Sequence, residues 1–537
     1  MQKIFFLFLV CLNLSLSGQN PTNSVWNFGN NCRLKFSATV EQSLSQISTN
    51  EGTSSICDSL GNLLFYTDGV TVWNNQDLVI DGSGSLSGSF SSTQSALIVP
   101  YPKHEGQYYI FTTSSAEYIF NGEYSGAAYS ILDLNLNGGQ GQITALNIEL
   151  IDTTCEKITG IETCNGDYWI IAHEFNSSNF LVWKLTEAGL EYPKISNAGM
   201  PITTRANIIG NLQLSHGGKR LASANRSRIE LFNFNQVTGE ITDNIFEEII
   251  LNNDTVMPYG VCFSPNDSLL YVTGIKSDYS GSVLIQYNAN AANSYIFRSS
   301  QILIKETNEF KYMGDIELSP NGIIYIAASS KNYLNSINNP NVTGINCNFI
   351  EESILLDNGC LCKSGLHNGI TLKKKLKPIS IGEDTVSCTQ VTLVPNLNND
   401  NTEYLWSTGD SSETLAVNTS NDYWLMVYNI GCSVSDTVKV VINPNTINLK
   451  IPNVFTPNGD SINDYFDVEI KDLAEFKISV FNRWGFEVFK TDSPIDRWNG
   501  RFNDNEPIDG VYFWECIYKG FCDEITKIKK GTVTIIK

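Results

Sequence analysis

Histidine is scarce in this chain, and long apolar runs are nearly absent. Four histidines occur among 537 residues, which leaves little material for histidine-based zinc sites or acid–base pairs. After residue 20, no run is long and apolar enough for a transmembrane helix, which needs about 20 such residues. The two shortages argue against a histidine-dependent metalloenzyme and against a transmembrane segment in the mature protein.

Positive charge is also in short supply. Lys and Arg number 35 against 56 Asp and Glu, for a net charge of −21. A chain of this charge repels nucleic acid and anionic lipid, so we expect neither as a partner. The one basic cluster, LKKKLK at residues 372–377, falls at a predicted domain junction, where we expect a solvated linker.

The N-terminus has the pattern of a secretory signal peptide. Lys3 precedes an apolar core at residues 4–14 that is too short to span a bilayer, and small residues follow it. We therefore predict a signal peptide at residues 1–18, cleaved after Ser17 or Gly18. Cys11 lies inside the apolar core, so it is not the modified cysteine of a lipoprotein.

Without Cys11, twelve of the thirteen cysteines remain, an even number in an exported chain. Even numbers in exported proteins favour disulfides over metal sites or redox thiols. We predict three local disulfides, which pair Cys155 with Cys164, Cys388 with Cys432, and Cys516 with Cys522. The sequence leaves the pairing of the other six undecided, namely Cys32, Cys57, Cys262, Cys347, Cys360 and Cys362.

The first two thirds of the chain repeat a strand, a tight polar turn and a second strand. The clearest copies are FSPNDSLLYVTG (residues 263–274), LSPNGIIYIAAS (318–329) and LSHGGKRLASAN (214–225), and a glycine or polar residue in each turn supplies a positive φ. Six copies start at residues 61, 106, 166, 218, 267 and 321, which are 45 to 60 residues apart.

A period near 50 residues built of short strands is typical of a β-propeller. We predict a propeller of about seven blades over residues 24–374, whose seventh blade is atypical or built from both chain ends. Six blades remain an alternative. A long β-sandwich is the structural competitor, but it would not produce this self-similarity.

A smaller pattern follows. Cys388, Trp406, a Tyr-containing strand and Cys432 are spaced as in a small sandwich. Residues 375–444 resemble the Ig-like and PKD-like modules of bacterial surface proteins, in which Trp406 would pack on a Cys388–Cys432 bridge. A spacer is the expected role.

The C-terminus carries separated blocks in a fixed order: IPNVFTPNGDSINDYFDV (residues 451–468), VFNRWGFEVFK (480–490), WNGRF (498–502) and DGVYFWECIY (509–518). These blocks, flush with the last residue, resemble the type B C-terminal sorting domain of the type IX secretion system of Bacteroidota, also called the gliding-motility-associated C-terminal domain. The resemblance covers residues 451–537. It implies an all-β sorting sandwich, recognition by the type IX machinery, and a secreted or outer-surface location on a Gram-negative bacterium.

The N-terminal region also resembles the propeller-like region often found ahead of such sorting domains, for instance in CDSLGNLLFYTDGVTVWN (residues 57–74) and YGVCFSPNDSLLYVTG (259–274). That resemblance brings no catalytic residues with it. The fold class we expect is therefore all-β throughout: propeller, Ig-like sandwich and sorting sandwich.

Propeller sites are built from the inner strands and the loops at one mouth of the channel. The repeat register places a mixed polar lining there, which suits sugar or peptide binding and contains neither a paired-carboxylate motif nor a nucleophile elbow. The predicted mouth residues are Gln94, Glu156, Lys157, Asn211, Tyr259 and Asp315.

One acidic loop offers oxygen ligands at alternating positions: Asn458, Asp460, Asn463 and Asp464. Calcium takes 6–8 oxygens from loops of this composition. The competing interpretation is an Asx turn, in which the side chains bond to their own backbone. Calcium is the one cofactor that the sequence suggests.

The sequence favours a secreted or cell-surface binding protein that is not an enzyme, such as an adhesin or a gliding-associated component, with glycans or surface proteins as partners. The alternative is an extracellular propeller enzyme, glycosidase or lactonase-like, and a weaker one is a structural filler of a surface layer.

Overall fold

The computed structural model is nearly all β-structure, with 52% strand and 5% helix. It describes residues 21–537 except 84, 122–125, 252–253, 309–311, 374–375, 397–401, 429–431, 444–446, 472 and 504. The predicted signal peptide at residues 1–18 lies outside the described residues. The chain forms two compact units, Met1–Lys375 with Ile430–Cys432, and Leu376–Asn429 with Ser433–Lys537.

Seven antiparallel sheets follow one another along the first unit, each built from consecutive strands. Sheet one contains β1 Val25–Phe28, β2 Asn30–Phe36 and β3 Val40–Ser48. Sheet two contains β4 Ser54–Cys57, β5 Leu63–Thr67 and β6 Val72–Asn74. Sheet three contains β7 Ala96–Pro100, β8 Gln107–Thr113, β9 Ala127–Asp133 and β10 Gln142–Ile151. Sheet four contains β11 Thr154–Glu162, β12 Tyr168–Glu174, β13 Asn179–Thr186, β14 Gly189–Leu190 and β15 Lys194–Asn197. Sheet five contains β16 Leu212–Leu214, β17 Arg220–Asn225, β18 Arg228–Asn235 and β19 Glu240–Glu247.

Sheets six and seven complete this series. Sheet six contains β20 Ile250–Leu251, β21 Asp254–Phe263, β22 Leu269–Lys276, β23 Gly281–Asn288 and β24 Ile302–Asn308. Sheet seven contains β25 Met313–Leu318, β26 Ile324–Ala328, β27 Tyr333–Ile337 and β28 Phe349–Leu355. The helices in the described residues are short: α1 Ala116–Asn121, α2 Ser294–Ser299, and single 3₁₀ turns at Pro21–Asn23, Asn137–Gly139, Arg205–Ile208 and Gly344–Cys347.

The six sequence repeats are the turns that follow the first long strand of sheets two to seven. Each turn holds a residue in the left-handed region, as the repeat pattern predicts, and the turn between β7 and β8 holds a second one, Lys103 (φ 60°). The residues common to the repeat are Gly61 (φ 80°), Gly106 (78°), Gly166 (89°), Gly218 (62°), Asp267 (59°) and Gly322 (82°). In sheet one, Gly29 alone (φ 55°) joins β1 to β2, without the longer polar turn, which is why no seventh copy is visible in the sequence.

Each sheet packs its apolar face against the next one, and the last sheet packs against the first. The pairing is visible in the buried clusters, each of which draws on two neighbouring sheets. Representative members are Phe65 and Ile110 for sheets two and three, Phe111 and Ile170 for three and four, Phe180 and Phe232 for four and five, Leu231 and Val272 for five and six, Tyr271 and Ile326 for six and seven, and Tyr325 and Trp26 for seven and one.

Sheets one and two meet through a polar contact. Arg33 lies over the Tyr66 ring at 5.1 Å and pairs with Asp77 at 2.5 Å. The ring of seven sheets is therefore closed, and the first unit is a seven-bladed β-propeller, as predicted.

The centre of the propeller is filled by the chain itself, at residues 364–373, which we call the central segment. Its backbone bonds to the inner strands of several blades: Asp315 N donates to Ser364 O (2.7 Å), Asn368 N to Thr53 O (2.7 Å), and Thr371 N to Gly160 O (3.0 Å). Just before it, Leu361 pairs with Asn30 of the first blade. The first and last parts of the propeller thus close on one another.

Asn368 is the most connected side chain of the central segment. Its Nδ2 donates to Ala96 O (2.8 Å) on β7 and to Ile158 O (3.1 Å) on β11, and its Oδ1 accepts from Gln94 Nε2 (3.3 Å). Gly365 permits the close approach, since a Cβ there would lie 2.1 Å from the carbonyl carbon of Glu51.

The second unit contains two hydrophobic cores. The first surrounds Trp406 and Leu425, and the second surrounds Trp498 and Trp514. The first core is enclosed by β29 Thr385–Ser387, β30 Val391–Leu393, β31 Glu403–Trp406, β32 Leu415–Val417, β33 Asn421–Tyr428 and β34 Ser433–Ile442. The second is enclosed by β35 Val454–Phe455, β36 Leu473–Phe481, β37 Glu487–Thr491, β38 Gly510–Gly520 and β39 Lys527–Ile535, in the sheet order β35-β39-β38-β36-β37. The assignment of residues 375–444 to the Ig-like or PKD-like class stays a prediction.

The three predicted disulfide pairings are wrong. Three disulfides are present, and they join cysteines that are distant in sequence: Cys32 with Cys360, Cys164 with Cys432, and Cys388 with Cys522. Trp406 therefore packs in its core without a Cys388–Cys432 bridge beneath it.

Extended strands explain the errors. A strand rises about 3.3 Å per residue, and disulfide-bonded Cα atoms lie within about 7 Å. Cys155 and Cys164 are separated by the length of β11, and β38 continues from Cys516 towards Cys522. Ser387 pairs with Ile442 at the far end of β34 from Cys432, so Cys388 is also out of reach of Cys432.

Six further cysteines are buried free thiols in the described residues: Cys57, Cys155, Cys262, Cys347, Cys362 and Cys516. Burial raises the pKa of Cys155 and of Cys362 to about 12. Because the thiolate is the reactive form, these thiols should be inert while the protein is folded.

We predict that non-reducing peptide mapping of the mature protein finds the Cys32–Cys360, Cys164–Cys432 and Cys388–Cys522 links. A thiol reagent should modify almost none of the six free cysteines in native buffer and all six after unfolding without reductant. A cross-linked Cys388–Cys432 peptide, or rapid labelling of the native protein, would contradict this arrangement.

Candidate functional site

A group of polar residues in or just before the inner strands lies at one end of the propeller, most of them near the strand beginnings. We call this cluster the channel entrance and define it by Glu51, Thr93, Glu156, Asn211, Tyr259 and Asp315. The inner strand is the first long strand of each blade, so the start of every inner strand faces the same end. Glu51 and Thr93 each lie three residues before such a strand, and Asn211 directly precedes one.

Glu156 is held by three donors. Its Oε2 accepts from Thr93 N (3.1 Å) and Thr93 Oγ1 (2.9 Å), and its Oε1 accepts from Ala116 N (2.5 Å). Burial raises the pKa of Glu156, and the backbone donors of Ala116 and Thr93 lower it in part. Both carboxylate oxygens are thus occupied by the protein.

Asp315 is similarly engaged. Asn211 Nδ2 donates to its Oδ1, Ile316 N to the same oxygen (2.7 Å), and Leu366 N to its Oδ2 (3.0 Å). Burial raises the pKa of Asp315 to about 6. Through Leu366, this carboxyl also helps to seat the central segment.

Gln94 has a structural task. Its Oε1 accepts from Leu212 N (2.9 Å), and its Nε2 donates to Leu212 O (3.0 Å) and to Asn368. These bonds link the third and fifth blades to the central segment, which leaves Gln94 without a free polar group for a ligand.

Glu51 and Tyr259 differ from the residues just described. The Tyr259 hydroxyl lies beside the Glu51 carboxyl, and its hydrogen-bonding interaction with that carboxyl, like that of Thr93, lowers the pKa of Glu51 in part. Burial, and then the neighbouring Glu156, raise the pKa of Glu51 to about 8, while Arg226 acts in the opposite direction. Among the described residues, Asn211 Oδ1 is a buried oxygen without a hydrogen-bond partner.

Lys157 does not join the entrance. Lys157 follows Glu156 in β11, where the pairing with β12 is irregular between Thr154 and Ile158, and its side chain turns to the fifth blade. The Lys157 ammonium donates to Ala224 O, and burial lowers the pKa of Lys157 to about 8.

The structure therefore brings together Glu156, Asn211, Tyr259 and Asp315, assigns Gln94 to the centre, and separates Lys157. Their role in ligand binding stays a prediction. Sequence reasoning missed Glu51, although its position relative to β4 matches that of Thr93 relative to β7.

The basic cluster at residues 372–377 was predicted to be solvated, and this is wrong for Lys373. Lys373 is buried, its Nζ donates to Gly217 O (2.6 Å), and burial lowers its pKa to about 8. The central segment carries this residue into the propeller, which sequence composition alone does not reveal.

The acidic loop predicted as a calcium site uses its oxygens on its own backbone. Asp464 accepts from Gly459 N (2.7 Å) and Ser461 N (2.8 Å), and Asp460 accepts from Ile462 N (2.8 Å). Asn458 accepts from Asp460 N (3.1 Å), and Asn463 contributes through its backbone carbonyl to Thr456 N. This is the Asx-turn geometry. Calcium binding at Asn458, Asp460, Asn463 and Asp464 stays a prediction.

A separate cavity of about 370 Å³ lies at the outer rim of the propeller. It is lined by residues 194–199 and 240–242, which belong to β15 and β19 and their surroundings. Both strands are outermost in their sheets, so the cavity is bordered by strand edges.

Comparison with known families assigns the C-terminal part. Residues 449–535 match the CHU_C Type IX secretion signal domain. The chain carries a type IX sorting domain. No curated protein is significantly similar to the chain.

The blocks that suggested the sorting domain are structural within it. Trp498 of WNGRF is buried in the core, and its Nε1 donates to Arg501 O (2.9 Å). Asn482 of VFNRWG accepts from Trp484 N (2.9 Å) and Phe486 N (3.0 Å), which closes the turn between β36 and β37. The exposed Trp484 and Phe486 remain on the surface of the sorting domain.

Solved structures resemble the propeller in fold. A proposed 6-phosphogluconolactonase from Bacteroides uniformis ATCC 8492 is 13% identical and has a TM-score of 0.39, with 63% of this chain and 99% of that chain covered. A Lactobacillus plantarum protein is 13% identical with a TM-score of 0.38, covering 64% and 97%. The β-propeller domain of Myceliophteria thermophila Cps50 (Swd1) is 10% identical with a TM-score of 0.33, covering 57% and 94%. Likeness at this level carries no argument about substrate or activity.

Two further properties concern the described residues only. They contain no helix long and apolar enough to cross a bilayer. They also contain no group of three or more His, Cys, Asp or Glu side chains arranged to hold a metal ion.

We predict that Glu51 makes the propeller less stable as the pH rises from about 4.5 to about 8. The folded-state pKa of Glu51 is about 8 against an ordinary 4.5, so the unfolded chain releases its proton first and gains stability relative to the folded chain. Denaturant titrations across this window should show a loss of up to a few kcal/mol in the wild type, since one pKa unit corresponds to about 1.4 kcal/mol.

Glu51→Gln should remove that part of the pH dependence, whereas Glu105→Gln, at an exposed carboxyl, should not. Parallel stability–pH curves for wild type and Glu51→Gln would show that Glu51 titrates normally.

Proposed function

We propose that the chain is an exported, non-catalytic binding protein that acts on the outer cell surface or in the medium, with glycans or surface proteins as partners. The sorting domain supplies the export, because a type IX signal implies recognition by that machinery and a surface or secreted location. The adhesive or gliding-associated role is the finer part of this proposal.

One observation carries the binding role over a channel enzyme. The central segment fills the middle of the propeller, and Gln94, Glu156 and Asp315 use their polar atoms to hold that arrangement. A hydrolase that used the channel would need these groups to be free and accessible to substrate. The partly exposed polar features are instead the Glu51 carboxyl at the entrance and the strand-edged cavity of the rim, and a shallow, strand-edged surface suits recognition.

A second candidate function, an extracellular hydrolase of the glycosidase or lactonase-like class, is favoured by one specific feature. Glu51 is a carboxyl with a pKa raised to about 8, it is partly exposed, and Glu156 and Tyr259 are its neighbours. A carboxyl that remains protonated near neutral pH can act as a general acid.

We predict that deletion of residues 451–537 leaves the protein in the periplasm with its propeller folded, because the sorting domain and the propeller are separate parts of the chain. Fractionation with immunoblotting and limited proteolysis measures both properties. The reciprocal control is a fluorescent protein fused to a signal peptide and residues 449–537, which should be exported. Normal export of the truncated protein would contradict the role given to the sorting domain.

We also predict that the mature protein binds a glycan or a surface protein without turnover. The test is a glycan array and a surface-protein pull-down, combined with a panel of glycoside and lactone substrates. Turnover that is abolished by Glu51→Gln and preserved in Glu105→Gln would favour the hydrolase. If the protein showed no binding and no turnover, both candidate functions would be contradicted.

A further inference from the structure

Large apolar side chains lie on the surface of the sorting domain around one hairpin. The turn between β36 and β37 presents Trp484 and Phe486, which are 75% and 66% exposed. Soluble proteins seldom leave a group of large apolar side chains on the surface, and such a group usually marks a place where another molecule binds. We call the surface formed by these two residues with Arg483, Val511 and Phe513 the hairpin surface.

The turn of this hairpin is closed without help from its aromatic side chains. Asn482 N donates to Phe486 O (2.9 Å), and Asn482 Oδ1 accepts from the N–H groups of Trp484 (2.9 Å) and Phe486 (3.0 Å). Gly485 adopts the left-handed conformation that the turn needs, with φ 83°. Because backbone groups and Asn482 make all of these bonds, the turn itself does not require an aromatic residue at position 484 or 486.

The neighbouring strand continues the apolar surface onto the open face of the sheet. Phe481 pairs directly with Phe513, so their side chains lie on one face of the sheet, opposite to the buried Val480 and Trp514. On β38, Phe513 and Val511 are two residues apart and therefore share that face, where they are 50% and 48% exposed.

Arg483 lies between the hairpin turn and this face. Its guanidinium is 6.0 Å from the centre of the Trp484 ring, and a Cβ at Gly510, the residue before Val511, would lie 3.6 Å from its Nη2. Arg483 forms no ion pair with another described residue. Exposed aromatic side chains beside an arginine have the composition of a protein–protein hot spot. A cation without a partner carboxylate also favours a partner surface that is acidic.

The family match indicates which protein would contact this surface. Residues 449–535 match a type IX secretion signal, which implies recognition by that machinery. In the recognisable blocks, Trp498 and Asn482 bond within the domain. Trp484 and Phe486 belong to the same block as Asn482, but their side chains are outside the core and are free to contact a partner.

We propose that the hairpin surface is the face of the sorting domain that docks on a protein of the type IX machinery. Trp484 and Phe486 enter an apolar recess of that protein, and Val511 and Phe513 pack at the edge of the contact. Arg483 pairs with an acidic side chain of the partner. This inference rests on export through the sorting domain, which is part of the proposed function, and it names the surface that the machinery contacts.

The test follows export of the full chain in a host with type IX secretion, by fractionation and immunoblotting. The double variant Trp484→Ser/Phe486→Ser should lower the exported fraction about tenfold or more, because truncation of hot-spot residues weakens binding by this order. Arg483→Glu should lower export as well. The matched control is Ile525→Ser, at a 73% exposed side chain beyond the other end of β38, which should be exported like the wild type.

A second measurement separates recognition from folding. The purified double variant should keep the wild-type Tm to within about 2 °C, because substitutions of exposed side chains change stability little. Trp498→Ala removes a buried ring from the core of the sorting domain and should lower both the stability of that domain and export. A comparable loss of stability in the double variant would mean that its aromatic residues are structural, and the docking surface would be rejected.

Wild-type export of the double variant or of Arg483→Glu would also overturn the proposal. Two other occupants are tested with the purified full chain, a second copy by analytical ultracentrifugation and lipid by flotation with phosphatidylethanolamine and phosphatidylglycerol vesicles. Self-association or vesicle binding that is lost in the double variant, together with normal export, would assign the surface to that occupant instead. If deletion of residues 451–537 blocks export but the double variant is exported, this inference fails and the sorting role stands. If the deletion variant is exported normally, the export part of the proposed function fails with it.

Discussion

The central segment is the contact on which the propeller depends. Residues 364–373 pass through the middle of the ring, and Asn368 bonds to backbone groups of β7 and β11, while its own backbone N–H reaches Thr53. Inner strands expose carbonyls and amides toward a channel, and those groups must be paired when water is excluded. Here the central segment supplies the partners, so the same contacts close the ring and pair the backbone polar groups at its centre.

The same closure connects the two ends of the first unit. The Cys32–Cys360 disulfide and the Asn30–Leu361 bridge lie immediately before the central segment. A ring of blades has no covalent reason to remain shut, because the apolar face of each blade packs only against its neighbours. A disulfide across a long sequence separation restricts the unfolded chain, and typically contributes about 2–4 kcal/mol.

Filling the centre also determines where function can lie. Polar groups that sequence reasoning assigned to a ligand were divided between two tasks. Gln94, Glu156 and Asp315 hold the architecture, whereas Asn211 and Tyr259 lie together beside Glu51, a carboxyl that the sequence did not single out. In the sorting domain, the recognisable sequence blocks have a structural role, since Trp498 packs in its core and Asn482 closes one of its turns.

Local sequence patterns by themselves determined much of what could be predicted about the fold and export of this protein. Positive φ at Gly61 or Gly322, alternating strand residues and the order of the terminal blocks are all encoded within about ten residues, so the repeat, the all-β class and the export signal could be predicted. The disulfides could not, because β11 and β38 hold Cys155 from Cys164 and Cys516 from Cys522 in extended backbone, and the true partners are more than a hundred residues away. Only the tertiary structure placed Glu51 beside Tyr259 and buried Lys373, because contacts across the ring depend on which segment fills its centre, and no local pattern specifies that.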